Sequence, residues 1–439
     1  MAAMYSFASN QGKQAQLALD LSRVEDGAHS EESHQLAKAL EASKVQRAVS
    51  QCDDDGDLYR EEFDVTRVFG LCPNIPATSP QARTAVDRLL QRCALSNHGG
   101  VNFIPAEDGC GGVCFVTGTN GQKMGVFKPT DEEINCENNP KGYVNDNPKG
   151  PRHFNAPREV AAYQLDQSYG GFSGVPVTAL VSVSNKKGEC KWGSLQEFVH
   201  HEDSCENFGS SVIPTDEVHK IGILDIRLVN QDRHFANILC RYDDAGKLRL
   251  TPIDHGAVLP SCFHLDKARF EWMYWKQAKH PFAEVTLAHI ASLDPKLDAD
   301  FLRSMDVEEE CVVTMVLATK LLQLGAKQGL SLWDIGSTIQ RDLFEEDRPS
   351  QWEQVIYDLL GASPTKEDIL STSDDTVVEV ISNALMNSPH NVWRRAPSTA
   401  WPRLGRDTAS EALGWNSDIP EAGAGQGEFP GALWRQQAV

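Results

Sequence analysis

The spacing of apolar residues predicts helices in the first part of the chain. Between residues 30 and 97 they recur three and four positions apart, as in LAKALEASKVQRAV (36–49) and ARTAVDRLLQRCAL (82–95). This spacing places them on one face of a helix. Three prolines and a glycine in GLCPNIPATSP (70–80) interrupt the pattern. We predict a small helical domain over residues 30–97, preceded by a flexible polar leader at 1–29.

After Gly99 the apolar runs become short, as is typical of strands. GCGGVCFVTG and KMGVFKP predict two strands joined by a turn that contains Asn120 and Gly121, a strong hairpin signal. A polar loop follows, in which NNPKG (138–142) is nearly repeated as DNPKG (146–150). We interpret this repeat as one turn motif used twice. Further along, VPVTALVSVS and GSLQEFV predict strands, and KLRLTPIDHGAVL predicts a strand pair.

Helical patterns alternate with these strands and then dominate. PREVAAYQLDQSY and EVHKIGILDIRLVNQ predict helices, and the chain is mostly helical from Phe270 to Ile339. The order of the elements predicts an α+β fold of two lobes over residues 99–345, a β-rich N-lobe and a helical C-lobe. Pro, Gly, Ser and isolated Trp are frequent beyond Arg348, where only WEQVIYDLL and TVVEVISNALM predict helices. We therefore expect residues 346–439 to be a partly disordered C-terminal tail.

Charge and cysteine usage limit the classes of partner. The formal net charge is -21 at pH 7, which argues against nucleic acid as a general partner and against broad adhesion to anionic membranes. No apolar window reaches the roughly 18 residues that a transmembrane helix needs. The first residues lack the apolar core of a signal peptide, and the 11 cysteines are scattered singly. We expect a cytoplasmic protein, with a peripheral membrane or nuclear location as alternatives.

Five polar residues with the chemistry of one reaction follow one another along the chain. Lys128 ends a predicted strand, and Glu159 begins a predicted helix. Asp232 and Asn237 lie five positions apart in DRHFAN, and Asp254 follows a strand in PIDHG. Phosphoryl transfer from ATP needs a lysine on the nucleotide phosphates and an acid that anchors this lysine. It also needs an aspartate beside the attacking hydroxyl, and an asparagine and an aspartate for Mg²⁺.

Each of these features also has a purely structural interpretation. Lys128 could be a solvated cation, and Glu159 could be a first-turn acid favoured by the helix dipole. Asp232 could form a structural ion pair with Arg233, and for His234 we favour a core histidine with its hydrogen bonds satisfied. Five such features in this order and spacing are much harder to obtain by chance.

The motifs DRHFAN and IDHG resemble the D-R-H-x-x-N and D-[HF]-G elements of the phosphatidylinositol 3-/4-kinase superfamily. A narrower similarity, to the plant-type gamma (type II-like) phosphatidylinositol 4-kinases, includes GVFKPTDEE, NNPKG, REVAAY, GFSGVPVTALV, GSLQEF, EVHKIGILDIRLVNQ and FEWMYWKQAKHPF. It extends roughly from Gly99 to Arg341. This resemblance implies a kinase-like catalytic domain over residues 99–345. Trp272 and Trp275 in FEWMYW then either pack in the helical lobe, which we favour, or line a lipid-facing groove.

The resemblance also implies roles for the five polar residues. Lys128 would contact the ATP phosphates and pair with Glu159, and Asp232 would orient the acceptor hydroxyl or accept its proton. Asn237 and Asp254 would hold Mg²⁺ or Mn²⁺.

The same resemblance implies two further contacts with the nucleotide. The segment from Gln196 through Phe198 to Val199 would meet adenine through backbone groups. The turn GCGGV (109–113), with Gly111 and Gly112, would cover the phosphates, although it departs from the GxGxxGxV pattern of protein kinases.

The implied activity is ATP-dependent phosphorylation of phosphatidylinositol at the 4-position, with peripheral membrane contact. Two alternatives stay open at this point. One is Ser/Thr protein kinase activity on the same fold, since the gamma family is thought to include members that phosphorylate proteins. The other is a pseudokinase scaffold that is regulated through an EF-hand-like segment.

That segment, QCDDDGDLYREEF (51–63), resembles an EF-hand calcium loop with Gly56 at the sixth position. The candidate Ca²⁺ ligands are Asp53, Asp55, Asp57 and Glu62. Gln51 stands where the first carboxylate ligand is expected, which predicts weak binding. The alternative is an acidic cap at the start of a helix.

Overall fold

The computed structural model describes residues 69–71, 77–95, 101–107, 109–143, 155–184, 190–342, 348–360 and 374–387. The predicted leader and the calcium-loop ligands lie outside the described residues, as does most of the predicted tail. These expectations therefore stay predictions from the sequence.

A six-stranded antiparallel sheet forms the N-lobe. Its strands are β1 (Phe69–Leu71), β2 (Asn102–Pro105), β3 (Cys114–Thr117), β4 (Lys123–Pro129), β5 (Thr178–Ser184) and β6 (Cys190–Glu197). They lie in the order β1-β5-β6-β4-β3-β2. The predicted hairpin is confirmed as β3 and β4, and the turn between them contains Gly121 at φ 77°, which a glycine adopts without strain.

Two helices pack on this sheet, α1 (Pro80–Leu95) and α2 (Asn155–Gln167). Leu89 and Cys93 of α1 lie in the same apolar core as Phe127 of β4. In addition, β1 pairs with β5 as the edge strand of the sheet. The boundary that we predicted near residue 97 is therefore displaced, because residues 69–71 and 80–95 belong structurally to the N-lobe and not to a separate helical domain.

The C-lobe consists of a small sheet and seven α-helices in the described residues, together with short 3-10 helices. The strands are β7 (Asp203–Ser204), β8 (Ile238–Tyr242) and β9 (Leu248–Pro252). The helices are α3 (Thr215–Leu228), α4 (Glu284–Ser292), α5 (Pro295–Ser304), α6 (Glu309–Lys327), α7 (Leu332–Ile339), α8 (Gln351–Leu360) and α9 (Asp374–Asn387). None of the helices in the described ranges is long and apolar enough to cross a membrane.

Helices α8 and α9 belong to the folded C-lobe. The helices predicted from WEQVIYDLL and TVVEVISNALM are confirmed, but Trp352 and Ile381 are fully buried in the same core as Trp272. The C-lobe therefore extends past the predicted start of the tail at residue 346, since burying these side chains stabilises the packed state.

The segment KLRLTPIDHGAVL, which we predicted to be a strand pair, forms one strand, β9. Its partner is the preceding β8, in which Ile238 lies opposite Pro252. The chain turns away after β9 because Asp254 adopts φ 57°, in the left-handed region. The predicted two-lobed α+β architecture is confirmed.

Candidate active site

Lys128, Glu159 and Asp254 come together between the two lobes. Lys128 lies on β4, and its Nζ donates hydrogen bonds to Glu159 Oε1 at 2.5 Å and to Asp254 Oδ1 at 2.8 Å. Glu159 lies on the buried helix α2 and is 1% exposed. Its other oxygen, Oε2, accepts a hydrogen bond from the backbone N–H of His255 at 3.0 Å. One carboxylate thus ties α2 both to β4 and to the segment after β9.

Charge holds this group together. Burial alone would lower the pKa of Lys128, but the carboxylates of Asp254 and Glu159 outweigh burial and raise it. Burial would likewise raise the pKa of Glu159, but Lys128 and His255 lower it. Both partners are therefore charged at neutral pH, as a lysine that binds phosphate must be.

A buried network around Asp225 supports the loop that carries Asp232. Asp225, on α3, is 0% exposed and accepts hydrogen bonds from Arg233 Nε, Trp272 Nε1 and Asn230 Nδ2, each at 3.0 Å. Arg233 therefore pairs with Asp225 and not with Asp232. We missed Asp225 in the sequence, although a carboxylate within the apolar run IGILDIRLV is itself a signal, because a buried carboxylate needs partners.

Arg233 also positions the ends of β8 and β9. Its Nη1 donates to the carbonyl oxygens of Asn237 at 2.6 Å and Ile253 at 2.8 Å. The N–H of Ile253 in turn donates to the Asn237 carbonyl at 3.0 Å. Asn237 is therefore held beside the residue that precedes Asp254. Its side-chain Nδ2 donates to the Asp232 carbonyl at 3.0 Å, which orients the amide group.

Asp232 itself faces the open cleft. Its side chain is 55% exposed, and His234 Nε2 lies 3.8 Å from its Oδ1. Partial burial raises the pKa of Asp232, and the nearby Asp254 carboxylate raises it further, while His234 and Arg233 oppose this. Our expectation for His234 was wrong, because its side chain is 43% exposed and lies at the cleft, not in the core. Trp272 and Trp275, by contrast, are buried as predicted.

Two of the three residues expected to meet adenine serve the sheet. The backbone of Gln196 is paired on both sides, opposite Val126 of β4 and Thr178 of β5, and the Phe198 N–H donates to the Met124 carbonyl at 3.0 Å. Strand β6 lies in the middle of the sheet, so its polar groups are taken up by neighbouring strands. Val199 follows these bonds at the crossing between the lobes.

The predicted nucleotide-covering turn (109–113) connects β2 to β3 and packs against Glu132. The N–H of Gly112 donates to the Glu132 carbonyl at 2.8 Å. A Cβ at Gly112 would lie 2.0 Å from Glu132 Oε2 and 2.5 Å from Glu132 Cβ. A Cβ at Gly111 would meet its nearest atom, the Glu132 carbonyl oxygen, at 3.6 Å, an ordinary contact. Of these two positions, only 112 therefore requires a glycine, because only there is the space for a Cβ occupied.

The two glycines make a matched pair for mutation. Gly112→Ala should lower the free energy of unfolding by about 1–3 kcal/mol, because the new methyl group forces the turn away from Glu132. Gly111→Ala should change it by less than about 0.5 kcal/mol. Urea denaturation of both variants measures the difference. Equal effects would show that the contact at Gly112 does not constrain the turn.

Asp225 provides a second test of the framework. Asp225→Ala should lower the free energy of unfolding by about 3–5 kcal/mol, because it leaves the Arg233 guanidinium buried without its partner. The control is Asp216→Ala, which removes an exposed pair with Lys247 and should cost less than about 1 kcal/mol. Denaturant titration followed by tryptophan fluorescence reports both values, and similar losses would contradict the network.

Known proteins with similar sequences indicate the family to which this site belongs. The chain is 40% identical over 300 residues to phosphatidylinositol 4-kinase gamma 4 of Oryza sativa subsp. japonica, covering 64% of this chain and 52% of the relative. It is 38% identical over 315 residues to phosphatidylinositol 4-kinase gamma 3 of Arabidopsis thaliana, covering 65% of this chain and 53% of the relative. The chain thus spans about half the length of these curated relatives.

Among solved structures, the chain is similar to a Golgi casein kinase at 13% identity and a TM-score of 0.35, over 68% of this chain and 90% of that chain. This likeness is too distant to support a functional comparison. The sequence pattern of the family described as phosphatidylinositol 3- and 4-kinase matches residues 109–335, just over half of the 439 residues. The chain belongs to the phosphatidylinositol 3- and 4-kinase family.

Proposed function

We propose that the protein transfers the γ-phosphoryl group of ATP to the 4-hydroxyl of phosphatidylinositol. For a member of this family, one structural observation supports the proposal most strongly. Lys128 is charge-paired with Glu159 and lies beside Asp254, while burial and then the charge of Asp254 raise the pKa of Asp232. Such a lysine with two carboxylates at a cleft is the arrangement that phosphoryl transfer requires.

The residues fit an ATP molecule between the lobes. Lys128 is 20% exposed, so its ammonium group can reach a phosphate while Glu159 fixes its direction. In the Lys128–Asp254 pair, the carboxylate is 47% exposed and accessible from the cleft. We assign Lys128 to the phosphates, and Val199, at the crossing between the lobes, to the adenine ring.

The oxygen atoms at the cleft also fit a divalent cation. Asp254 offers a half-exposed carboxylate, and the Asn237 amide is oriented through its nitrogen, which directs its oxygen away from the Asp232 carbonyl. Hard oxygen donors of this kind suit Mg²⁺ or Mn²⁺. Bound there, the cation would offset the negative charge that the ATP phosphates carry during transfer.

Asp232 holds the acceptor hydroxyl and receives its proton. Its side chain is open to the cleft, while its backbone is fixed by Asn230 Oδ1, which accepts from the Asp232 N–H at 2.9 Å. A pKa above that of an ordinary aspartate makes it a better proton acceptor.

The Lys128–Glu159 pair is assembled together with Asp232, Asn237 and Asp254, and this argues against the pseudokinase alternative.

The acceptor is tested directly with parallel reactions. The purified full chain, Mg²⁺ and γ-labelled ATP are incubated with phosphatidylinositol vesicles, with a generic protein substrate, or with both. We expect label in phosphatidylinositol 4-phosphate, identified by separating the positional isomers, and little label in protein. Label in protein alone would instead establish the protein kinase alternative, and label in neither would remove the proposed activity.

Two further proposals follow from the choice of acceptor. Phosphatidylinositol is a membrane lipid, so we place the protein in the cytoplasm with peripheral contact to a membrane surface. Calcium binding by residues 51–62 stays a separate prediction from the sequence, and the proposed catalytic mechanism does not depend on it.

A further inference from the structure

The NNPKG segment (138–142), which the proposed mechanism leaves without a role, contacts the nucleotide-covering turn. Asn139 is 7% exposed. Its Nδ2 donates to the Cys110 carbonyl at 2.9 Å and is 3.2 Å from the carbonyl oxygens of both Glu132 and Glu133. One buried amide group therefore joins the turn to the segment that follows β4.

The orientation of this amide is fixed from both sides. Asn139 Oδ1 accepts hydrogen bonds from the backbone N–H of Lys141 at 2.9 Å and of Tyr143 at 3.2 Å. Three carbonyl oxygens thus surround the nitrogen and two N–H groups face the oxygen, so a rotated amide would lose every one of these bonds. Only a side chain with a donor and an acceptor at these two positions satisfies the site.

Lys141 makes a second attachment to the same turn. Its Nζ donates to the carbonyl oxygen of Glu107 at 3.1 Å and to that of Gly109 at 2.9 Å. Asn139 and Lys141 together therefore hold the carbonyl groups of Glu107, Gly109 and Cys110, where the chain enters the turn. These three carbonyl oxygens therefore face the NNPKG segment and are not available to repel a phosphate group.

Hydrogen bonds through Glu133 also connect the NNPKG segment to the helix that carries Glu159. The Glu133 carboxylate accepts hydrogen bonds from the backbone N–H of Asn155 at 3.0 Å and of Ala156 at 3.1 Å, at the start of α2. Because Asn139 also binds the Glu133 carbonyl, the turn, the end of β4 and the start of α2 form one connected unit.

We propose that Asn139, assisted by Lys141, is a positioning residue that fixes the nucleotide-covering turn (109–113) relative to Lys128 and Glu159, and so sets the affinity for ATP. This role rests on the proposed function. The NNPKG motif would then act on the binding of ATP and not on proton transfer at Asp232.

The test compares three variants of the full chain. Asn139→Asp keeps the acceptor and the size but loses the donor to three carbonyl groups. Lys141→Met removes the second attachment at a half-buried position and keeps the length of the side chain. Asn138→Ala is the control, since Asn138 is exposed and makes one long contact, 3.4 Å, with Asp131.

We expect the KM for ATP to rise about tenfold in Asn139→Asp and about threefold in Lys141→Met, with kcat within about twofold of wild type. Asn138→Ala should match wild type. If Asn139→Asp folds poorly, Lys141→Met alone decides. A KM for ATP that stays within about twofold of wild type in folded Asn139→Asp and in Lys141→Met would overturn the proposal, and so would a fall in kcat alone.

Hydrogen exchange without nucleotide separates this proposal from the proposed function. The backbone amides of residues 109–113 should exchange at least about tenfold faster in Asn139→Asp than in wild type or Asn138→Ala. If Asn139→Asp exchanges faster but the wild type transfers no phosphate, the attachment of the turn is supported and the proposed function is excluded. Unchanged exchange would overturn the attachment itself.

Discussion

Replacing Asp232 by asparagine is expected to lower the turnover of phosphate transfer by about 10²–10⁴-fold. The variant keeps the shape of the side chain but cannot take the proton of the acceptor hydroxyl. Its folding should be unaffected, because the Asp232 side chain is 55% exposed and the loop is held by bonds to the backbone of Asp232. The KM for ATP should stay close to that of wild type.

The measurement is initial-rate kinetics with γ-labelled ATP on matched preparations. Asp300→Asn is a suitable control, since Asp300 is 63% exposed and, among the residues that the structure describes, forms an ion pair only with Arg303 on the same helix. Turnover in Asp232→Asn within about threefold of wild type would exclude Asp232 as the proton acceptor. A similar loss in the control would indicate a general effect of removing a carboxylate.

Lys128→Met is expected to abolish transfer, with a loss of at least about 10²-fold, because it removes the charge that contacts the phosphates. The variant also leaves the Glu159 carboxylate buried without its cation, so the pKa of Glu159 should rise from its lowered value. A carboxylate whose pKa is lowered by folding stabilises the folded protein at neutral pH. The variant loses this stabilisation, so its melting temperature should fall.

Thermal unfolding with and without MgATP separates these two effects. Wild type should be stabilised by MgATP, and Lys128→Met should start from a lower melting temperature and gain little. Lys247→Met, which removes an exposed lysine on the hairpin between β8 and β9, should respond like wild type. A Lys128→Met protein that keeps both the nucleotide-dependent shift and full activity would contradict the assignment.

The sequence was most informative where chemistry and chain position coincide. Lys128, Asp232 and Asp254 stand in motifs that combine an ionisable residue with the end of a strand or a tight turn. Such combinations are unusual in a folded chain, because ionisable groups are seldom placed there without a partner. The hairpin between β3 and β4 was equally predictable, since the turn residues at 120 and 121 act locally.

Contacts between distant segments could not be predicted in this way. Asn139 reaches Cys110 across 29 positions, and its sequence context suggests only a turn. Asp225 appears in the sequence as one polar position in an apolar helix, and its partner Trp272 lies 47 positions away. The periodicity of α1 showed that one face is buried but not that this face packs on the sheet of the N-lobe, so the domain boundary was misplaced.

The proposed activity is tested most directly by the transfer of labelled phosphate to phosphatidylinositol vesicles by wild type and Asp232→Asn, side by side. The proposed site predicts linear formation of phosphatidylinositol 4-phosphate by wild type in the presence of Mg²⁺. It predicts at least 100-fold less product, on the order expected for a lost proton acceptor, from the variant at equal folded concentration. Equal transfer by the two proteins, or no transfer by wild type, would contradict it.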